Sequence, residues 1–180
     1  MAAQQKQDNF YKDPRFARVL FNTARFAWLW AIIRVWLGWQ WIEASLHKIG
    51  DAAWVGNGAA LKGYWLRAVA VPQPPAKPLI TFDWYRSAKL VAYGEMLIGV
   101  ALIIGAFVGI AAFLAGFMNW NFMMAGAAST NPVLFTLSIL LILAWKVAGY
   151  YGADRYLLPA LGTPWKPGKV FTPNRGALPA

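Results

Sequence analysis

The 180-residue sequence contains no cysteine and a single histidine, His47. Without cysteine the chain forms no disulfide, thiolate zinc site, iron–sulfur cluster or c-type haem attachment, and it has no thiol for catalysis. One histidine does not supply a bis-histidine haem or a zinc site. The sequence therefore predicts that this chain ligates neither a metal nor a haem.

Charge is also scarce, at 13% of residues, which is about half the usual fraction for a soluble domain. Apolar residues make up 59%, and eleven of the aromatic residues are tryptophan, which is typical of a bilayer protein with aromatic belts. The 17 Lys and Arg outnumber the 7 Asp and Glu, and the basic residues flank long apolar stretches. This placement favours anionic lipid as the partner of the basic residues, and it predicts no nucleic-acid partner.

Four apolar stretches are long enough, or nearly so, to cross a hydrocarbon layer of about 30 Å. The first follows a basic segment, residues 1–25. The apolar stretch 88–126 would be about 58 Å long as one helix, so we expect it to reverse, with Gly105 and Gly109 at the turn. The last stretch begins after Pro132, a residue tolerated in a first helical turn. The predicted spans are 26–48, 88–105, 110–126 and 133–151.

The fold class predicted from these spans is an all-α membrane protein, a four-transmembrane-helix bundle with residues 26–151 as its membrane domain. Four spans put both termini on one side, and the two tails carry nine Lys or Arg, while the long loop 50–89 carries five and the loop 127–132 none. We therefore expect a multi-pass protein of a bacterial or archaeal cytoplasmic membrane with both termini in the cytoplasm. The outer loop contains a predicted short interfacial helix at 59–67 and a Pro-rich stretch at 72–78. The Pro-rich cytoplasmic tail, 152–180, is either an extended partner-binding segment or disordered.

Polar side chains inside the spans are informative because each ionisable group costs about 2.5–3.5 kcal/mol to insert. On the first span they form two stripes on roughly opposite faces at 100° per residue. A helix that is polar on two faces is expected to be enclosed by the other three spans or by a partner chain. The first stripe contains Arg34, Gly38, Trp41, Ser45 and Lys48, and the second contains Trp36, Gln40, Glu43 and His47.

Depth along the spans places several polar groups in one layer. At about 1.5 Å per residue, Glu95 lies about 10 Å and Asn121 about 8 Å below the outer surface, with Lys48 and His47 at the outer mouth. We therefore expect a small polar cavity, open to the outside, where Glu95 and Asn121 meet the first span. Arg34 lies deeper, about 20 Å from the outside, where a functional role or an ion pair is expected.

Several short motifs occur in an order that resembles a known family. They are Arg34 with Gly38-Trp39 and Lys48, then Gly94-Glu95-Met96-Leu97-Ile98-Gly99, then the 119–126 stretch with Asn131-Pro132, and finally the 152–159 segment after the last span. In this order they resemble the DoxX/DoxD membrane proteins, whose DoxD type forms the membrane subunit of thiosulfate:quinone oxidoreductase. The resemblance covers about residues 30–160.

The resemblance implies oxidation of a small sulfur anion, thiosulfate to tetrathionate, coupled to reduction of a quinone that serves as co-substrate. In this hypothesis Glu95 is the catalytic residue and relays a proton. The candidate substrate-binding residues are Arg34, Lys48 and Asn121, and the candidate quinone-binding residues are Trp41 and His47. The simpler interpretation is that Trp41 is a core residue and that His47 is a surface or hydrogen-bonding histidine.

The sequence offers no electron carrier, so electrons would pass directly from substrate to quinone or through another subunit. That gap keeps a second hypothesis open: a non-catalytic accessory subunit of a larger respiratory or photosynthetic membrane complex. The expected partners are the lipid bilayer, other membrane or peripheral subunits, and a small anion. A transporter is disfavoured, because four spans without an inverted repeat give little machinery for alternating access.

Overall fold

The computed structural model describes residues 13–67, 84–127, 129–163 and 166–171. Within these ranges the chain is mainly helical, as predicted, with one pair of two-residue antiparallel strands near the end. Short 3₁₀ turns lie at Ala24–Phe26 and Lys169–Phe171. The α-helices are α1 (Arg15–Asn22), α2 (Ala27–Ile49), α3 (Ala52–Val55), α4 (Ala59–Leu66), α5 (Trp84–Ile104), α6 (Val108–Met124), α7 (Asn131–Leu143), α8 (Trp145–Ala148) and α9 (Asp154–Leu161), and the strands are β1 (Gly162–Thr163) and β2 (Lys166–Pro167).

The four long helices form a bundle in which α2 packs along α5 and α6 packs along α7. The short helices α3 and α4 contact α5 at one end of this bundle, which we name the α3–α4 end. At the opposite end, the α1–α9 end, α1 packs against α8, and backbone N–H groups at the start of α9 bond to the turn after α5. The predicted single helix at 133–151 is wrong in one respect, since the helical run is interrupted at Ala144 and resumes as α8.

The contact between α2 and α5 depends on small residues. A Cβ atom added to Gly38 would lie 2.8 Å from the Gly99 carbonyl oxygen, and one added to Gly99 would lie 2.7 Å from the Gly38 carbonyl oxygen. Further along the same contact, the Ser45 hydroxyl donates to the Ala92 carbonyl oxygen at 2.7 Å. Small residues and buried hydroxyls of this kind let two helix backbones approach closely where apolar side chains give no driving force for association.

The reversal between α5 and α6 occurs at residues 105–107. Gly105 has φ +69° there, a left-handed conformation that favours glycine, so its predicted place in the turn is confirmed. The prediction for Gly109 is wrong, because α6 already begins at Val108. The helix begins this early because the Asp154 carboxylate accepts hydrogen bonds from the first free N–H groups of α6, and Gly109 instead packs against the Trp145 Cβ.

Small or polar residues fill much of the interior, whereas large apolar side chains cover the outside. The exposed fraction is 75% for Leu90, 71% for Leu97 and 62% for Ile110. By length and composition, Arg86–Ile104 is the one helical stretch of the described residues that qualifies to cross a membrane, while Val108–Met124 and Asn131–Leu143 are shorter apolar helices. Four membrane spans therefore stay a prediction.

The first polar stripe of α2 faces inward, since Arg34 and Trp41 are buried. The expectation that other helices would enclose the second stripe is wrong for the described part of the chain. Trp36 is 45% exposed, and Glu43 and His47 are also exposed. The physical reason is that α2 packs mainly along α5 and makes smaller contacts with α7 and α8, and these contacts leave the side chains of Trp36, Glu43 and His47 accessible.

The predicted short helix in the first loop is present as α4. The Pro-rich stretch 72–78 lies outside the described residues. Part of the predicted tail is folded: β1 pairs with β2, and α9 contacts the 3₁₀ turn that follows. Residues 172–180 lie outside the described residues, so the alternatives for that part of the tail stay open.

Candidate functional site

A buried ion pair lies near the α3–α4 end of the bundle. The Lys48 ammonium is 2.7 Å from Oε2 and 2.9 Å from Oε1 of Glu95, so it donates to both carboxylate oxygens. Glu95 is 1% exposed and the Lys48 side chain is 18% exposed, and therefore only the lysine reaches open space. Lys48 and Glu95 come together because both lie on the contact between α2 and α5.

This pair lines a cavity of about 410 Å³ between α2, α6 and α7. Aromatic rings surround the ammonium: Lys48 Nζ lies 5.4 Å from the centroid of Trp54 and 6.0 Å from that of Phe122. Both distances are within the range of cation–π attraction. A cavity is therefore present where Glu95 meets the first span, and the ion pair and aromatic rings form part of its wall.

Two other buried side chains in the cavity lack hydrogen-bond partners among the described residues. They are the Trp41 indole, through Nε1, and the Asn119 amide, through both Nδ2 and Oδ1. Asn119 is fully buried and Trp41 is 3% exposed. Because a buried polar group without a partner costs about 1–3 kcal/mol, these groups indicate a place for a ligand or ordered water.

The rim of the cavity is polar and more accessible. It includes Gln40, Glu43 and His47, so the second stripe of α2 borders the cavity. Tyr64 of α4 contributes another wall, and its hydroxyl donates to the Phe122 carbonyl oxygen at 3.2 Å. Burial raises the pKa of the Tyr64 phenol, which keeps the hydroxyl protonated as a donor.

The structure corrects the expected position of Asn121. This residue does not line the Lys48–Glu95 cavity; it lies along a neighbouring apolar cavity, and its Nδ2 donates to the Phe117 carbonyl oxygen at 2.7 Å. Asn119 takes its place beside Glu95. Residues two apart on a helix point about 200° away from each other, so only one of the two amides faces the cavity.

Arg34 also lies elsewhere, at the α1–α9 end of the bundle. Its Nε donates to Ala148 O at 3.0 Å, its Nη1 to the carbonyl oxygens of Leu102 and Ile103, and its Nη2 to Tyr151 O at 2.8 Å. Fourteen residues of α2, about 21 Å, separate it from Lys48. The expected pairing of Arg34 with Lys48 around one anion is therefore wrong.

Asp154 completes a structural cluster with Arg34 that we name the Arg34 node. Its carboxylate accepts from Phe107 N at 2.6 Å and Val108 N at 2.9 Å. Burial raises the pKa of the Asp154 carboxyl, while the two backbone hydrogen bonds and the nearby Arg34 charge oppose that shift. Arg34 thus contacts the carbonyl end of α5, and Asp154 the N–H end of α6, so each charge matches the dipole it meets.

Sequence reasoning located Lys48, Glu95, Trp41 and His47 but missed the two aromatic walls from the first loop, Trp54 and Tyr64. Tyr64 lies in the predicted interfacial helix 59–67. The spacing of residues in the first loop did not predict that this loop folds over the cavity. No group of three or more histidine or acidic side chains in the described ranges is placed to hold a metal ion. Comparison with protein-family models, curated proteins and solved structures found no match to this chain.

Proposed function

We propose that the chain crosses a bacterial or archaeal cytoplasmic membrane four times, with both termini in the cytoplasm. The outward-facing apolar side chains of α2, α5, α6 and α7 support this, since such a surface is costly in water. At 1.5 Å per residue, the 23 residues of α2 span about 34 Å, and residues 131–148 of α7 and α8 together span about 27 Å. The α3–α4 end then faces outward.

Single introduced cysteines test this topology against a background free of native cysteine. We expect Lys62→Cys on α4 to react with a membrane-impermeant maleimide in intact bacterial cells. Tyr156→Cys on α9, where the native side chain is 74% exposed, should react only after the cells are permeabilised. Equal labelling of both variants in intact cells would contradict four spans with cytoplasmic termini.

We propose further that the chain is a quinone-linked membrane oxidoreductase subunit and that the Lys48–Glu95 cavity receives the quinone head. The observation that carries this proposal is the buried ion pair beside two unpartnered polar groups, Trp41 and Asn119, in one cavity. A quinone offers two carbonyl oxygens that accept hydrogen bonds, and this set of residues supplies donors for them. The residues present therefore fit the head group.

Reduction of a quinone takes up two electrons and two protons, and it converts both oxygens from acceptors into hydroxyl donors. The Asn119 amide suits both states, because Nδ2 donates to a carbonyl and Oδ1 accepts from a hydroxyl. Lys48 and Trp41 orient the oxidised form by donating. The Lys48 ammonium, held against the Glu95 carboxylate, supplies the protons one after the other, and Glu95 takes up each replacement through the polar rim and returns it to Lys48.

Thiosulfate is the proposed electron donor. Joining two thiosulfate ions through a new S–S bond gives one tetrathionate and releases two electrons, which matches the two that the quinone accepts. The cavity favours the quinone over the anion as its ligand, because Glu95 already neutralises the Lys48 charge. A sulfur anion would bind to Lys48 only when Glu95 carries a proton.

Thiosulfate-dependent quinone reduction by the purified, reconstituted protein tests this function. Glu95→Gln removes the exchangeable proton with little change in shape, so we expect the rate to fall about 100-fold or more. Asp51→Asn is the control, since it removes a carboxylate at the same end of the bundle and asparagine also caps helices. Activity retained in Glu95→Gln would contradict the assigned role of Glu95.

A second candidate function, a non-catalytic accessory subunit of a respiratory or photosynthetic complex, is favoured by the open second stripe of α2. Its exposed Trp36, together with Glu43 and His47, offers an aromatic and polar face to another chain. Absence of turnover in that assay, with stable co-purification in a cytochrome or pigment complex, would favour this candidate over the enzyme.

A further inference from the structure

A second cavity, which we name the seam groove, runs between α5 and α6 and has a volume of about 740 Å³. Its walls are mainly apolar, and they include Leu97, Ile98 and Leu114. On α5 it extends from Ser87 to Ala101, a helical rise of about 21 Å. The groove is therefore long and parallel to the helices, a shape suited to an extended hydrocarbon chain.

The two glycines of α5, Gly94 and Gly99, have different surroundings, and this difference explains why the seam is open. A Cβ added to Gly94 would meet no atom within 4 Å, whereas one added to Gly99 would meet the Ile42 side chain at 2.6 Å. Gly99 thus allows close packing against α2, but Gly94 lines the groove and leaves space there. Leu90 and Leu97 also line the groove and are highly exposed, so the groove opens onto the apolar outer surface of the bundle.

The seam groove and the Lys48–Glu95 cavity share two wall residues, Tyr64 and Phe122. Their rings meet edge to face with centroids 6.3 Å apart, and the Tyr64 hydroxyl is bonded to the Phe122 main chain. One side of this aromatic pair therefore faces a polar, charged cavity, and the other faces a long apolar groove. The two spaces are therefore neighbours separated by one aromatic pair, an arrangement that matches an amphiphile with a polar head and a hydrocarbon tail.

We propose that the seam groove holds the prenyl tail of the quinone whose head lies in the Lys48–Glu95 cavity, with the tail passing the Tyr64–Phe122 pair. This inference rests on the proposed function and narrows its substrate class to quinones with long isoprenoid chains. The adjacency of the two spaces favours a ligand that fills both at once. A membrane lipid tail alone would fill the groove without reaching Trp41 and Asn119.

Filling the groove by mutation tests the proposal. Gly94→Leu places a side chain into the open space, and Gly63→Leu is the matched control, because a Cβ at Gly63 also meets nothing and Gly63 lines neither cavity. Binding is measured on the purified full-length chain by quenching of tryptophan fluorescence at constant detergent. The two probes are a benzoquinone without a tail and the same head carrying a prenyl tail.

We expect Gly94→Leu to weaken binding of the tailed quinone about tenfold, to leave the tail-free quinone unchanged, and Gly63→Leu to change neither. Leu114→Trp narrows the groove from α6 and should give the same pattern. It replaces Gly94→Leu in this test if Gly94→Leu does not fold. Unchanged affinity for the tailed quinone, or equal weakening of both probes, would overturn the tail site and leave the head site standing. Failure of the unmodified protein to bind either probe would instead overturn the proposed function.

Discussion

Replacing Arg34 with alanine is expected to destabilise the protein by at least about 3 kcal/mol, because four carbonyl oxygens lose their donor and Asp154 loses its nearest described cation. For a chain of this size the unfolding temperature should fall by about 10 °C. Thermal unfolding in detergent, followed by helical circular dichroism, measures the change. Arg34→Lys should recover only part of the loss, because an ammonium lacks the planar fork that reaches several carbonyls.

Arg155→Ala is the matched control for this experiment. Arg155 lies at the same end of the bundle, but it is exposed and its guanidinium contacts the Tyr150 ring at 5.2 Å. We expect a loss of no more than about 1 kcal/mol. Similar stabilities for Arg34→Ala and the unmodified protein would show that the Arg34 node does not hold the helix ends together.

Replacing Lys48 with methionine is expected to destabilise the protein by about 3–5 kcal/mol, since the carboxylate of Glu95 is then buried without a partner. Glu95→Gln should cost less, because the partly exposed Lys48 ammonium can turn toward the open side of the cavity. The double variant Lys48→Met with Glu95→Leu removes both charges and should recover most of the stability. Chemical unfolding of the three variants measures these differences.

The order of these effects distinguishes two explanations for the ion pair. If the pair serves the proposed chemistry, the double variant is stable and inactive, since stability does not require the charges. If the double variant is no more stable than Lys48→Met, the pair is required for packing. That second outcome would remove the main support for a functional cavity at this position.

Some features of the candidate site could be predicted from the sequence because a helix has a fixed rise and rotation. Rotation placed Trp41 and Lys48 on one stripe of α2, and depth along the spans predicted that Glu95 would meet the first span. The ion pair itself was not predicted, because the depth estimate put Lys48 at the outer mouth and Glu95 about 10 Å below the outer surface. The four long helices followed from apolar length and from the positions of glycine and proline.

Other features could not be predicted, because they depend on packing between elements. The choice between Asn119 and Asn121 is set by how α6 turns against α7, and both orientations satisfy the same sequence pattern. Arg34 was expected to have a functional role or an ion-pair partner, but its hydrogen-bond acceptors are main-chain carbonyls, and a residue's type does not reveal these. The position of Tyr64 depends on how the first loop folds back, and periodicity gives no information about that.

Two of the four carbonyl oxygens that accept from Arg34 come from late in the chain, with Tyr151 lying 117 residues after it. At about 5–20 residues per second, a ribosome needs about 6–23 s to synthesise that interval. On the proposed topology, α2 is inserted before any of these acceptors, and α5 brings only those of Leu102 and Ile103. The guanidinium is fully bonded only when the last helix arrives, and C-terminal truncations before residue 148 should therefore be degraded soon after synthesis.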